Sequence, residues 1–504
     1  MNRTKKFVYN STATAIHQLI TMIVGFITPR IMLSIYGSEI NGLVTSVAQF
    51  ISYFNLVEAG LSSAAVYALY APLAQNNHSE INSVVTAAKR FYTQTGVAFV
   101  ALTIGLSVAY PIFLKSDLLS PVYIGILVLI LGVNGALEFF TLAKYRVLLT
   151  ADQKTYILSA LSIVHILIQT VLIVVMANFR VHIVLVRFIV LFSVFIRSLL
   201  LLSFCKKNYP FLDFHVTPNT SALNKRWDAL NLQILGVVQN GAPVLLLTLF
   251  LKNLKLVSVY SVFNMVIAGI SGVLGIFISG LSSSFGDIIA RKDLPLLQKT
   301  YKEFEFAYYF LITVIYSITF ITIMPFIRIY TRNITDVQYD LPVIGFLFVL
   351  NGLLYNVKTP QGMLVISAGL FKETKMQTTI QTLIAVVLGG VLVFFWGIAG
   401  VLIGAIASNL YRDIDLLYFV TKNVTKTSVK HTANRIIRIF ICTIITITPF
   451  FFIQYTLSTF LEWFIFAAIA GVYALLVTFV VNAIFDKNDA ISILARFKSQ
   501  VLKR

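Results

Sequence analysis

Charged residues interrupt several long apolar stretches of this sequence. Arg30 follows Pro29 in "GFITPRIMLS", where a proline is expected to bend a helix. Glu58 stands in "FNLVEAG" and Glu138 in "NGALEFF". A charge inside a hydrophobic span is costly in lipid and is therefore a functional candidate by default. A guanidinium can bind phosphate through two parallel hydrogen bonds, and a buried carboxylate can pair with a cation or carry a proton.

Further cations lie in later apolar stretches. Arg187 and Arg197 follow one another within 181–205, and Lys358 stands in "LLYNVKTPQG". Each could line a polar cavity, or could anchor a helix at the membrane surface. For Glu58 and Glu138 the competing interpretation is structural ion pairing.

Carboxamides accompany a second proline. Gln239 and Asn240 precede Pro243 in "QNGAPVLLL". They are candidates for hydrogen bonds to a sugar, and interhelical polar contacts explain them equally well. Pro29 and Pro243 are both interpreted as helix breaks.

The elements that carry these residues are membrane helices. Of the 504 residues, 58% are hydrophobic and 12% charged, and the mean hydropathy is +0.86. Apolar runs of about 20 residues, long enough to cross a bilayer, recur along the chain. The sequence therefore predicts an all-α polytopic membrane protein. About fourteen spans are expected, at 9–35, 40–68, 91–114, 121–146, 155–178, 181–205, 229–251, 257–285, 304–330, 339–365, 376–395, 397–420, 436–457 and 460–485.

The distribution of basic residues predicts the topology. With these spans, roughly four fifths of the Lys and Arg residues fall on the side of the N-terminus, so both termini are expected in the cytoplasm. The net charge of +19 is then mainly a topology signal and does not indicate nucleic-acid binding. Neither a metal site nor a cofactor is expected, because no metal-ligand or cofactor motif occurs and the two cysteines form no CxxC pair.

An internal repeat organises the spans. "GLSS" occurs at 60–63 and at 280–283, each time at the end of a predicted long helix and before a polar loop and a basic, aromatic helix start. This order predicts two parallel six-helix lobes related by an axis along the membrane normal. The predicted domains are 1–205, a cytoplasmic linker at 206–228, 229–420, and a region at 421–504 with a last helix pair and a basic tail. The loop "YAPLAQNNHSEIN" lacks the basic turn of the major facilitator class, which favours a multidrug/polysaccharide exporter fold.

Two blocks resemble a known family. "YGSEINGL" (36–43), "LVEAGLSSA" (56–64) and "YAPLA" (70–74) resemble the first hairpin of bacterial polysaccharide, O-antigen (Wzx-type) flippases. "AGLFKETK" (368–375) and "WGIAGVLIGA" (396–405) resemble a later block of that family. The family belongs to the multidrug/oligosaccharidyl-lipid/polysaccharide (MOP) exporter superfamily. Tyr36, Ala64 and Ala405 depart from its usual residues, and none of these departures removes a charge.

The resemblance implies a cargo and a mechanism. It implies a flippase that moves an undecaprenyl-diphosphate-linked oligosaccharide across the bacterial inner (cytoplasmic) membrane by alternating access, for surface polysaccharide synthesis. The implied partners are this lipid-linked sugar, membrane lipids, H⁺ or Na⁺ as the coupling ion, and polysaccharide polymerase machinery. A lipid II or teichoic-acid flippase satisfies the same physical requirements. With such a cargo, a central cavity needs cations for the diphosphate and amides for the sugar.

Two other classes are considered. A drug or organic-cation exporter of the same superfamily needs acids in its cavity, whereas basic candidates are the more numerous here. A membrane glycan polymerase or ligase would be an enzyme with a large outer loop, and no such loop or catalytic motif is predicted. The sequence therefore predicts a transporter and not an enzyme.

Arg30 has no counterpart in the second repeat, where Val244 follows Pro243. If Arg30 binds the diphosphate, Arg30→Ala abolishes export of the lipid-linked sugar while the protein stays in the membrane. Arg30→Lys tests whether the forked guanidinium is required. Surface polysaccharide and membrane protein level are measured together, and normal polysaccharide in the alanine variant would leave Arg30 as a surface anchor.

Overall fold

A computed structural model describes residues 3–58, 61–220, 227–279, 281–453 and 456–486. These residues form helices and connecting turns, with no strand among them. The helices are α1 Arg3–Phe54, α2 Leu61–Ala74, α3 His78–Phe113, α4 Pro121–Leu137, α5 Ala143–Ala151, α6 Thr155–Asn178, α7 Ile183–Asn208, α8 Trp227–Leu246, α9 Leu254–Ser279, α10 Leu281–Ala290, α11 Leu294–Tyr330, α12 Pro342–Val357, α13 Thr359–Ser367, α14 Lys375–Leu383, α15 Gly389–Trp396, α16 Ile398–Val420, α17 Val429–Phe451 and α18 Phe460–Phe485.

The first helix is interrupted at a glycine. α1 has 52 residues, and Gly37 inside it has a φ of 81° and a ψ of 172°, which glycine adopts without steric cost. At about 1.5 Å per residue the element is roughly 78 Å long, more than twice the hydrocarbon thickness. Its two halves therefore correspond to the first predicted span and to the first half of the second, 40–54.

The break predicted at Pro29 lies instead at Gly37. Pro29 is inside α1 and the helix continues through it. A proline removes one backbone hydrogen bond, and this loss is tolerated in membrane helices where local adjustments satisfy the freed carbonyl. Pro243 is also inside its helix, α8, and the departure from α geometry follows it as a π turn at Leu247–Leu251.

The prediction of an all-α polytopic membrane protein is confirmed. Twelve helices of the described residues are long and apolar enough to cross a membrane. α1 counts once among them, and the more polar α16 is not counted. Counting the two halves of α1 separately and including α16 gives the fourteen spans that the sequence predicts.

The internal repeat is visible as a helix pattern. A long helix ends before each "GLSS", a shorter helix begins at Leu61 or Leu281, and a long helix follows from His78 or Leu294. The prediction that "GLSS" ends the long helix is wrong in detail, because Leu61 and Leu281 already belong to the next helix. Gly60 and Gly280 lie outside the described residues.

The chain divides into two compact units, Met1–Ser261 and Val262–Arg504. They are called the first unit and the second unit below. Each unit is a set of helices that contact one another, and such a set need not coincide with one copy of the sequence repeat. The lobe boundaries expected from the sequence therefore stay predictions.

The first part of the predicted polar linker packs against the first unit. Phe211 stacks on His78 with ring centroids 3.9 Å apart, and its carbonyl accepts a hydrogen bond from Asn82 Nδ2 at 2.9 Å. Ser83 Oγ donates to the carbonyl of Thr217 at 2.8 Å. Residues 221–226 of the linker lie outside the described residues.

In the second unit, a buried ion pair joins α17 to α11. The Arg435 guanidinium lies 3.0 Å from Glu305 Oε2, and the two side chains are only 2% and 1% exposed. Thr432 Oγ1 also donates to Glu305 Oε1 at 3.0 Å. Breaking such a pair leaves an uncompensated buried charge, so it fixes the position of α17 on α11.

The start of α1 is attached to the α5–α6 turn through Asp152. Lys6 Nζ lies 2.9 Å from Asp152 Oδ1, Lys154 Nζ lies 2.8 Å from Oδ2, and Tyr209 Oη donates to Oδ2 at 2.6 Å. Burial alone would raise the pKa of this carboxyl, but the hydrogen bonds from Lys154, Tyr209 and Lys6 outweigh it and hold the pKa below its usual range. Burial and the adjacent carboxylate raise the pKa of the Tyr209 phenol.

Replacing the Asp152 carboxylate is expected to lower the free energy of unfolding by an amount that depends on pH. Because the folded-state pKa of Asp152 is depressed, its stabilising contribution is complete above the unfolded value of about 3.9 and is lost as the pH falls through the folded value. Asp152→Asn is expected to lower the free energy of unfolding by about 1–2 kcal/mol at neutral pH and by nothing at strongly acid pH. Thermal unfolding of the detergent-solubilised protein measures this. Asp117→Asn, at an exposed carboxylate of the same unit, should change little, and an equal loss at both pH values would contradict the linkage.

Candidate functional site

The first unit contains a cavity of about 880 Å³. Its walls come from α1, the 3₁₀ turn Asn55–Glu58, α2, α4, α5 and α8, and from a π turn at Glu138–Leu142. The lining residues are Ala48, Ile51, Asn55, Glu58, Ser62, Val66, Leu131, Asn134, Gly135, Glu138, Phe139, Ala143, Arg146, Thr150 and Gln233. We call this space the first-unit cavity.

One ion pair crosses the cavity wall between the 3₁₀ turn and α5. The Arg146 guanidinium donates to Glu58 Oε1. Tyr92 Oη, from α3, donates to the same oxygen at 3.3 Å. Because the 3₁₀ turn ends α1 at Glu58, this carboxylate lies where the helix stops and faces α5.

A second ion pair is built on the π turn. Glu138 begins the π turn, and its carbonyl accepts from the Ala143 amide, the i→i+5 bond of this geometry. Arg197 of α7 lies 2.8 Å from Glu138 Oε1. Thr141 of the π turn and Ser198 of α7 are joined by a 2.9 Å hydroxyl contact. The π turn therefore contacts α7 through two polar bonds.

The two pairs present opposite charges to the cavity. In the first pair Arg146 is the more exposed partner, at 38% against 16% for Glu58. In the second pair Glu138 is the more exposed, at 40% against 17% for Arg197. The cavity thus offers one accessible guanidinium and one accessible carboxylate, while each charge keeps a partner.

Neutral polar groups complete the wall. Asn55 and Asn134 line the cavity, and neither side chain has a hydrogen-bond partner in the part of the chain that the structure describes. A carboxamide offers both donors and an acceptor, which suits sugar hydroxyls. Gln233 of α8 lies on the same wall.

Three of the predicted site residues meet at this cavity. Glu58 and Glu138 line it, and Arg197 is held against Glu138. Both acids are paired, as the structural interpretation expected. Arg30 is half-buried on α1 and is not part of the wall. Arg187 is buried on α7, where its guanidinium contacts Met32 Sδ at 3.8 Å.

The other predicted residues lie elsewhere. Gln239 is half-buried and Asn240 exposed on α8, and neither lines the cavity. Lys358 belongs to the second unit, between α12 and α13, and its ammonium donates to Asn409 Oδ1. Their predicted contacts with substrate stay predictions.

Arg146 was missed by reasoning from the sequence. It stands in "AKYR" beside Lys144, where a positive charge at the end of a span indicates cytoplasmic topology. No sequence signal marks the π turn between Glu138 and Arg146, and this turn changes which face of α5 points into the cavity. Asn55 and Asn134 were also missed, although an amide inside an apolar span is a recognisable signal.

Solved structures with the same fold are transporters and flippases. The lipid II flippase MurJ in an inward closed conformation superposes with a TM-score of 0.71 at 14% sequence identity, covering 94% of this chain and 99% of that one. An inward-facing multidrug resistance MATE family transporter of the MOP superfamily gives a TM-score of 0.68 at 13% identity, covering 84% and 99%. A MOP superfamily transporter from Pyrococcus furiosus, described by a reversed polarity of its binding pocket, gives 0.58 at 13% identity, covering 85% and 98%.

These likenesses show the fold. The chain has the fold of MOP-superfamily transporters and is a multi-pass membrane protein. No protein-family model and no curated protein sequence matches it.

The Glu138–Arg197 pair should be energetically coupled. Arg197→Ala is expected to lower the free energy of unfolding by about 1–2 kcal/mol, a modest value because Glu138 is partly exposed. The double variant Glu138→Gln/Arg197→Ala should be less destabilised than the sum of the single variants, since no unpaired charge remains. Thermal unfolding in detergent measures the cycle. The exposed pair Arg328–Asp340, 3.0 Å apart, is the control and should show little coupling, and additive effects at Glu138 and Arg197 would contradict the pairing.

Proposed function

We propose that the protein is a flippase for an undecaprenyl-diphosphate-linked oligosaccharide in the cytoplasmic membrane of a bacterium, with both termini in the cytoplasm. The observation that carries the proposal is the first-unit cavity, in which an accessible guanidinium and unpartnered carboxamides occur together inside a membrane-spanning unit. A diphosphate and a sugar chain need these two kinds of group.

Ion-pair exchange supplies a binding mechanism. Arg146 is neutralised by Glu58 in the structure. A diphosphate entering the cavity competes with Glu58 for the guanidinium and can be held bidentately. When the diphosphate leaves, the internal pair forms again, so the site does not hold its cargo too tightly. Asn55 and Asn134 are placed to hydrogen-bond the first sugars.

A second observation, at Arg187 of the first unit, also supports an anionic cargo. Its guanidinium is buried, its Nε has no hydrogen-bond partner, and no carboxylate of the described residues forms an ion pair with it. A buried cation without an acid is costly and is expected where an anion passes. Arg30 lies two residues from Met32, which Arg187 contacts, and both arginines remain proposed diphosphate ligands.

The fold comparison is compatible with this cargo. One structural neighbour is a flippase for lipid II and others are multidrug transporters. Since the identities are 13–14%, these neighbours support a transporter fold, and the cargo is argued from the cavity.

An organic-cation exporter is the second candidate. Glu138 is 40% exposed in the cavity and could attract a cationic drug. Deletion of the gene in its host distinguishes the two. A flippase predicts accumulation of the diphosphate-linked repeat on the inner leaflet and loss of surface polysaccharide. An unchanged glycan coat with altered drug sensitivity would favour the exporter.

Arg146 is the sharpest test of the diphosphate site. Arg146→Ala should slow flipping of the lipid-linked sugar by about tenfold to a hundredfold, because a charge-assisted hydrogen bond of about 1.5–3 kcal/mol is lost. Arg146→Lys should retain part of the activity. The assay uses proteoliposomes and an impermeant reagent that modifies the sugar on the outer leaflet only. Arg328→Ala, at an exposed arginine, is the control, and unimpaired flipping by Arg146→Ala would refute the assignment.

A further inference from the structure

The second unit contains a polar cluster that the cavity of the first unit does not involve. Lys358, at the junction of α12 and α13, donates from its ammonium to Asn409 Oδ1 on α16. The ammonium also lies 4.7 Å from the centroid of the Tyr355 ring. A lysine inside a membrane unit is costly unless its charge has a specific partner.

Asn409 is held by three neighbours. Its Oδ1 accepts from Lys358 and, at 3.4 Å, from Gln381 Nε2 of α14. Its Nδ2 donates to Asn351 Oδ1 of α12 at 2.9 Å. Asn409 is buried, with 3% of the residue exposed. The carboxamide is therefore oriented, and its oxygen is directed at the ammonium.

A carboxylate lies one helical turn further along α16. Asp413 follows Asn409 by four residues, a spacing that places two side chains on the same face of a helix. Both oxygens of Asp413 are buried and have no hydrogen-bond partner in the described residues. Its charge interacts with that of Lys358. An ionised carboxylate is rarely left in this condition, since burying a charge without hydrogen bonds is unfavourable.

Other titratable groups lie on α16 itself and on the elements packed against it. The charge of Asp413 acts on the phenol of Tyr309 on α11. Arg412, on the same helix as Asp413, forms an ion pair with Asp415. Of the elements that pack on α16, α13 and α15 carry no titratable side chain, and the two arginines of α17 pair with acids. The titratable residues on these packing elements are Tyr355 of α12, Lys375 of α14, Lys422 of the π turn Thr421–Thr425, and Lys430, His431, Arg435, Arg438 and Cys442 of α17.

The geometry allows the cluster two arrangements. When Asp413 carries a proton, it is neutral and Lys358 stays on Asn409, as in the structure. When Asp413 is ionised, the flexible four-carbon stem of Lys358 lets the ammonium move toward the carboxylate and pair with it. The step is the addition of one proton to a carboxylate oxygen or its loss, and no other bond changes. The net charge of Lys358 and Asp413 together alternates between +1 and 0.

We propose that Asp413 is the proton-accepting residue of a coupling site in the second unit, with Lys358 as a built-in cation held by Asn409. The coupling role of Asp413 rests on the proposed flippase function. Its binding of a proton does not depend on that function. A proton is favoured over Na⁺ because the ammonium already occupies the carboxamide oxygen that a metal ion would need and repels a second cation. Among the described residues, no group of three or more His, Cys, Asp and Glu side chains could hold a metal ion.

Protonation of Asp413 can be tested by a measurement that does not require transport activity. Infrared difference spectra of the detergent-solubilised full chain are recorded between about pH 9 and about pH 5. A carbonyl band of a protonated carboxyl group should appear on acidification in the wild type and be missing in Asp413→Asn. Asp287→Asn, at an exposed acid of the same unit that pairs with Arg291, should retain the band. If the band survives in Asp413→Asn, the assignment is wrong.

The coupling is tested in proteoliposomes containing undecaprenyl-diphosphate-linked oligosaccharide. With an imposed pH gradient, the wild type should accumulate this lipid in one leaflet, up to about tenfold per pH unit for one proton per cycle. Asp413→Asn should still equilibrate the lipid between leaflets without a gradient and should lose the accumulation. Lys358→Ala should lose accumulation as well, and Asp287→Asn should behave as the wild type.

The outcomes separate the two proposals. Wild-type protein that does not equilibrate the lipid refutes the flippase function, and the infrared band then still decides the proton site. Wild-type protein that equilibrates the lipid but ignores the pH gradient, or responds only to a Na⁺ gradient, refutes the coupling and leaves the flippase function standing. Accumulation by Asp413→Asn equal to that of the wild type also refutes the coupling.

Discussion

A charge inside a membrane must be neutralised by the protein, because lipid does not solvate it, and the interior of this protein depends on that constraint. In the closed Arg435–Glu305 pair, each charge neutralises the other and both side chains are almost fully buried. The pairs at the first-unit cavity meet it differently, since each keeps one partner partly exposed. A closed pair fixes helices together. A half-open pair can exchange a partner for a ligand, which is the property that a transport site needs.

Irregular helix geometry determines where these pairs form. In lipid, the backbone must satisfy its own hydrogen bonds, so irregular backbone at membrane depth is tolerated only inside the protein or where it lines a cavity. At the first-unit cavity two local departures have this role: the 3₁₀ turn that ends in Glu58 and the π turn that begins with Glu138. Each places a cavity carboxylate, while the regular helices α4 and α5 supply Asn134 and Arg146.

Much of the fold could be predicted from the sequence, because the thickness of the bilayer imposes a length and an apolar composition on every span. Glu58 and Glu138, which line the cavity, could also be singled out, since a charge is conspicuous in an apolar run. Arg146 could not be distinguished from a topology signal, because its role depends on the face that α5 presents after the π turn. Asp413 was overlooked for a related reason, as it is surrounded by Arg412 and Asp415, which pair with each other.

The π turn has a consequence for how this chain can change in length. A π turn accommodates one residue more than an α-helical turn, so deleting a single residue from Glu138–Leu142 would restore a regular helix. Because the extra residue is taken up within the π turn, such a deletion would keep the register of α5 relative to α4 and leave Arg146 opposite Glu58. The apolar composition of the span would hardly change. A single deletion is therefore accommodated at this turn, whereas a deletion in a regular turn between Leu142 and Arg146 would rotate the following residues by about 100° and carry Arg146 away from Glu58.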